Sequence, residues 1–283
     1  MILSGCATPS APDDLRERVL AALAPAGGEW GVTFKDLQTG RELTVRADEE
    51  FHPASTLKIW VMMKVYQDAA DGRYALSDPV TVEQTFMSAA RRDPRPFDVK
   101  PSCRAITEAV GKKMPVRELV EHMITVSDNV ATNNLIRQAG GPEAITVFLV
   151  RLGIRRSNVR RYIMDNQAFD EGLSSAAFPG DFGLALEKLA RGEVVGPEAS
   201  REMLEVMGRL KDNDMLPARL PEGARVTHKT GAIDGIRNDV GLVTLPDGRR
   251  YVAAFFSRAL KDEKLGERCL AAASRVLCDF VSR

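Results

Sequence analysis

The period of apolar positions changes twice along the chain. Residues 12–24 contain DDLRERVLAALA, apolar at helical spacing with acidic residues in the first turn, which predicts an amphipathic helix. Residues 30–36 (WGVTFKD) and 42–45 (ELTV) read as two strands, and Leu37-Gln38-Thr39-Gly40-Arg41 joins them as a hairpin. From Ser55 to Leu204 the spacing is mostly helical. STLKIWVMMKVYQDAADG ends in a glycine stop, and VRELVEHMIT, NVATNNLIRQAG and PEAITVFLVRLG follow. Residues 181–191 and 197–209 predict two more helices. Past Gly223 the strand signal returns: 225–229 as a short strand, 239–245 (DVGLVTL) as a second, and 249–257 (RRYVAAFFS) as a third after the turn signal Pro246-Asp247-Gly248. Residues 264–281 form a long terminal helix.

Strands at both ends bracket a helical middle, which predicts an α+β fold. The expected architecture is one antiparallel sheet of about five strands, flanked by the N- and C-terminal helices, with an inserted all-α subdomain. The expected boundaries are a tether over 1–11, an α/β subdomain from 12–54 plus 205–283, and the all-α subdomain over 55–204. Residues 81–104 carry three prolines and the basic cluster Arg91, Arg92 and Arg95. They read as a loop, either solvated or shaping a substrate cleft.

Charge is balanced, with 39 Lys and Arg against 39 Asp and Glu. Phosphate recognition needs a basic footprint, so nucleic acid is not the expected partner. No apolar run reaches the length of a membrane span. The four cysteines form no CxxC pair, which excludes a zinc ribbon or a thioredoxin-like motif. Cys269 and Cys278 share the terminal helix, about 13 Å apart, too far for a disulfide, and read as small buried residues. His52, His122 and His228 show no ligand spacing, so neither a metal nor a cofactor is implied.

Three short motifs carry candidate chemistry. Ser55-Thr56-Leu57-Lys58 has the form SxxK, Ser127-Asp128-Asn129 is SDN, and Lys229-Thr230-Gly231 is KTG. One helical turn places Lys58 on the same face as Ser55. An amine beside a hydroxyl accepts its proton once burial or a second cation depresses its pKa. The same residues also suit helix capping, since Ser, Asp and Asn are strong N-cap types. Each motif alone is weak; all three in this order are specific for serine acyl-transfer enzymes. Lys229 supplies the second cation, and Gly231 allows a backbone or a ligand to approach closely. If strand alternation holds, the N–H of Ala232 faces the cleft. His228 either tunes Lys229 or faces away from the cleft.

With these motifs, and with Gly235-Ile236-Arg237-Asn238-Asp239-Val240-Gly241 after KTG, the chain resembles a class A β-lactamase or a close relative in that serine hydrolase superfamily. The resemblance runs from the first strand to the terminal helix. It implies Ser55 as acylated nucleophile, Lys58 as proton-transfer group, and Ser127 and Asn129 lining the cleft. It also implies Lys229 and Thr230 binding a substrate carboxylate, beside Gly231, and the N–H groups of Ser55 and Ala232 forming an oxyanion hole. The family carries a glutamate, with an asparagine a turn later, that activates the deacylating water. In the matching stretch, residues 160–173, no such glutamate appears. Asp165 is the nearest carboxylate by spacing, either as a shorter replacement base or as a residue that fixes the loop. The expected substrate is therefore a β-lactam, or a peptidoglycan-like peptide or ester if deacylation is slow.

Leu3-Ser4-Gly5-Cys6 resembles the lipobox of bacterial lipoproteins, behind a truncated signal. That resemblance implies acylation of Cys6, a lipid anchor and a cell-envelope location. The enzyme is expected to act as a monomer.

Overall fold

The computed structural model describes residues 12–283; Cys6 and the expected tether lie outside the described residues. α1 (Pro12–Leu23), β1 (Glu29–Asp36) and β2 (Glu42–Val45) come first, and a 3-10 turn, Ala54–Leu57, leads into α2 (Lys58–Ala70). Next are β3 (Pro79–Thr81), β4 (Thr85–Met87), β5 (Pro96–Asp98), α3 (Arg104–Ala109) and β6 (Lys113–Pro115). The helices α4 (Val116–Thr125), α5 (Asn129–Gln138), α6 (Pro142–Arg151), α7 (Asn166–Asp170), α8 (Pro179–Ala190) and α9 (Pro197–Met207) follow. The chain closes with β7 (Arg225–Ile233), β8 (Ile236–Thr244), β9 (Arg250–Arg258) and α10 (Glu263–Val281).

The main sheet has the order β2-β1-β9-β8-β7, antiparallel throughout. β9 lies at its centre, which explains an apolar run without alternation: both faces are covered. Tyr251, Ala253 and Phe255 join the core under α1 and α10. Val252, Ala254 and Phe256 join the core of the helical insertion. The rings of Trp60, Phe182 and Phe256 connect α2, α8 and β9, with centroids 4.1 Å and 4.8 Å apart. Cys269 and Cys278 are buried free thiols.

Two features depart from the expected pattern. The block 55–204, expected to be all-α, also holds two antiparallel ribbons, β3 with β6 and β4 with β5. The second ribbon lies in the stretch expected as a loop. Its strands are three residues each, too short for their alternation to stand out in the sequence. β7 runs on to Ile233 instead of closing at the KTG motif, because β8 pairs with it from Ile236 onward. The motif therefore sits within an edge strand, beside an open edge.

Candidate active site

Ser55 lies in the 3-10 turn before α2, and that turn is fastened to the sheet. Thr56 closes it by donating N–H and Oγ1–H to Pro53 O, at 3.1 Å and 2.6 Å. Asn238 of β8 donates Nδ2–H to His52 O at 2.9 Å and accepts Ser257 N–H at 2.9 Å. β7 presses on the turn from the side. A Cβ added at Gly231 would lie 2.9 Å from Pro53 O and 3.0 Å from Ser55 N, so a side chain there pushes the turn off the sheet. Ala54 and Ser127 hold φ of 47° and 58°, left-handed values that cost energy for residues other than glycine. Ala54 directly precedes Ser55, and Ser127 meets Lys58.

Lys58 is fully buried. Its Nζ donates to Ser127 O at 2.6 Å and Asn129 Oδ1 at 2.9 Å, and Ser127 Oγ lies 3.0 Å away. It makes no hydrogen bond to the Ser55 hydroxyl in this structure. Burial pushes its pKa well below the usual lysine range and the Lys229 charge adds to this, while Asp128 opposes. The SDN corner caps a helix and holds Lys58 at once; Asn129 lines the cavity and Ser127 does not. Asp128 caps α5 by accepting Ala131 N–H at 2.8 Å, and it also accepts Ser102 N–H at 2.5 Å. Its neighbours Ser127 and Asn129 are thereby left to Lys58.

Lys229 is also fully buried and donates to Thr230 O at 3.0 Å. Burial brings its pKa down to about 8 against the opposing charges of Asp239 and Asp212. His228 faces the other side of β7, buried, with Nδ1 at 2.9 Å from Asp239 Oδ1. Gly241 makes room for it: a Cβ there would meet His228 Cβ at 2.5 Å. The direction of the Ala232 N–H follows from the register. Arg237 opposes Ala232, and its N–H goes to Ser257 Oγ on the β9 side at 2.7 Å. The pair Ala232–Arg237 is therefore not hydrogen-bonded, and the Ala232 N–H points off the free edge of β7. There Ala232 and Ser55 line one cavity of about 240 Å³.

The opposite wall of that cavity comes from residues 161–166. Arg161, Tyr162 and Asn166 line it, with His52 nearby, and no Asp or Glu is among the lining residues. Asp165 does not face the cavity, which corrects its expected place as a catalytic base. It is fully buried, and its carboxylate accepts Ser88 Oγ–H at 2.7 Å, Ala89 N–H at 2.7 Å and Ala168 N–H at 3.1 Å. It caps α7 and ties the turn after β4 to this loop. Gln167 and Glu171 add to the tie by accepting the N–H groups of Arg95 and Arg91, at 3.0 Å and 2.7 Å. One turn before Asn166 the cavity wall is Tyr162, so a phenol stands where the resemblance implies a carboxylate. Asn166 was the available signal: counting one turn back from the asparagine reaches Tyr162, not Asp165. His52, Arg161 and Tyr162 are cavity residues that the sequence reading missed.

Residues 14–281 match the model of the β-lactamase enzyme family. The chain belongs to that family. It is 30% identical over 269 residues to a β-lactamase of Streptomyces albus G, covering 93% of this chain and 83% of that protein. Among solved structures, a β-lactamase from Sphaerobacter thermophilus superposes with a TM-score of 0.82 at 28% identity, covering 96% and 98% of the two chains. A mutant of PBP-A, solved as an acyl-enzyme complex with penicillin G, superposes with a TM-score of 0.80 at 25% identity, covering 94% and 96%. The family assignment accounts for the sheet, the inserted helices and the meeting of the three motifs. It does not supply a carboxylate in this cavity.

Proposed function

We propose that this enzyme opens a β-lactam ring by acylating Ser55, and that release of the acyl group is its slow step. The observation that carries the first half is the buried Lys58 amine, held by Ser127 and Asn129 with its pKa depressed. The Ser55 hydroxyl attacks the lactam carbonyl and passes its proton to neutral Lys58. This requires rotation of the Ser55 side chain toward Nζ, an adjustment common when catalytic hydrogen bonds tighten on substrate binding. A C–O bond forms, and the C–N bond of the ring breaks. The proton then travels from Lys58 through the Ser127 hydroxyl to the departing ring nitrogen. The N–H groups of Ser55 and Ala232 hold the developing oxyanion, and Lys229 with Thr230 holds the ring carboxylate.

The second half rests on the cavity wall. Release requires a base on the side from which water reaches the ester. No carboxylate lines the cavity, and Lys58, neutral again after acylation, is held by Ser127 and Asn129 and is not among the lining residues. Burial raises the Tyr162 pKa, so its phenol is neutral and a poor base. His52 accepts Ala54 N–H at Nδ1, at 3.0 Å, so its neutral ring carries its proton on Nε2 and is a donor there.

Intact-mass spectrometry during incubation with benzylpenicillin tests both halves. The expected result is a stoichiometric adduct that persists while little drug is consumed, and no adduct with Ser55→Ala of unchanged circular dichroism. An adduct on the Ser55→Ala protein removes Ser55 as nucleophile. Rapid decay of the adduct with full drug consumption removes the slow step.

A further inference from the structure

The cavity wall formed by residues 161–166 carries a positive charge that the protein does not match. Arg161 is half-buried, with its guanidinium 5.1 Å above the Phe169 ring. Its hydrogen bonds are long, 3.4 Å to Tyr162 O and 3.5 Å to Asp165 O, and its Nε–H has no partner. Among the described residues no carboxylate lies within ion-pair distance of it. The charge of Asp165 acts on it through space, but both oxygens of that carboxylate are taken by Ser88, Ala89 and Ala168. Exposed arginines nearby, such as Arg160, are solvated and need no partner. A partly buried guanidinium has lost part of its hydration, and an unmatched charge there is costly.

The groups around Arg161 reinforce the same preference. His52 presents Nε2–H as a donor, and the nearby Arg161 charge, after burial, keeps the ring neutral. Tyr162, Asn166 and Ser175 add polar groups to the wall. On the proposed reading the ring carboxylate lies toward Lys229 and the lactam carbonyl between Ser55 and Ala232, which leaves the wall of residues 161–166 for the acyl side chain. We propose that Arg161 is a specificity-determining residue that favours substrates carrying a carboxylate on the acyl side chain. This rests on the Ser55 acyl-enzyme reading.

Two penicillins that differ by one group test it: benzylpenicillin and its derivative with a carboxylate on the side-chain α-carbon. The measurement is the ratio of their second-order acylation rates. The expected ratio is about tenfold in favour of the carboxylated compound, a difference of about 1.4 kcal/mol, and it shrinks as salt rises. Arg161→Gln brings the ratio to about one, and Arg161→Lys restores part of it. An equal ratio in the parent and Arg161→Gln proteins overturns the proposal while leaving Ser55 acylation standing.

A second measurement needs no reaction. Phenylmalonate and phenylacetate are titrated into Ser55→Ala and into Ser55→Ala combined with Arg161→Gln. Tighter phenylmalonate binding that depends on Arg161 supports the proposal even if neither penicillin acylates the enzyme. Loss of acylation with no such dependence overturns both readings.

Discussion

One wall of the cavity carries Ser55, Asn129 and the β7 residues Ala232 and Ile233, with Lys58 and Ser127 behind it; the other comes from residues 161–166. On the first wall, carboxylates lie behind the chemistry. Asp128 caps α5 and leaves Ser127 and Asn129 to Lys58, and Asp239 engages His228 on the far face of β7. On the second wall, the carboxylates are spent on holding loops together. Asp165 and Glu171 bind backbone N–H groups of the turn after β4, and the cavity receives a phenol, an amide and a guanidinium instead. The same residue types thus leave a buried amine held by Ser127 and Asn129 on one side and a basic surface on the other. What differs is which partner claims each oxygen.

The sharpest way to break this contrast is to give the second wall a carboxylate. Tyr162→Glu places one in the cavity, a turn before Asn166. The expected outcome is faster release of the penicilloyl group, by about a hundredfold, the lower part of the range for a positioned general base. Single-turnover decay of the adduct by mass spectrometry measures it. Unchanged decay shows that the wall lacks more than a base.

The two walls were unequally legible in the amino-acid sequence. Ser55–Lys58, Ser127–Asn129 and Lys229–Gly231 are contiguous motifs at a turn, a helix corner and a strand, so each is readable as a short pattern even though packing brings the three together. β9 was legible because burial on both faces leaves an unbroken apolar run. Residues 160–173 have no period to read, and the direction of the Asp165 carboxylate is decided by Ser88 and Ala89, 77 and 76 residues earlier. Those partners themselves sit in a ribbon turn that carries no alternation. Spacing from a motif gives the approximate place of a side chain in such a loop, and its hydrogen-bond donors decide where it points.

A smaller effect sharpens the first wall. In the proposed mechanism acylation needs Lys58 neutral and Lys229 charged. Its rate therefore falls as pH drops through the depressed Lys58 pKa, and falls again as pH rises past the Lys229 pKa of about 8. On the alkaline side the loss is about tenfold per pH unit in the second-order acylation constant, which reports the free enzyme. In Lys229→Arg that limb moves out of range, because a guanidinium stays protonated. A limb near pH 8 that survives in Lys229→Arg assigns the titration to another group.

The smallest change returns to the second wall. Asp165→Asn keeps the size of the side chain but replaces an acceptor oxygen by an N–H donor. The Ser88 hydroxyl can turn to another role, but Ala89 N–H binds one carboxylate oxygen and Ala168 N–H the other, so a single amide oxygen satisfies only one of them. Leaving one buried donor unmatched costs about 1–3 kcal/mol. For a protein of this size that lowers the melting midpoint by about 2 °C or more. The ratio of acyl release to acyl formation stays as in the parent, because the carboxylate holds two loops together and does not reach the cavity. Differential scanning fluorimetry and the mass-spectrometric time course read the two effects separately. Selective slowing of release, with the melting midpoint unchanged, would return Asp165 to the chemistry and erase the difference between the two walls.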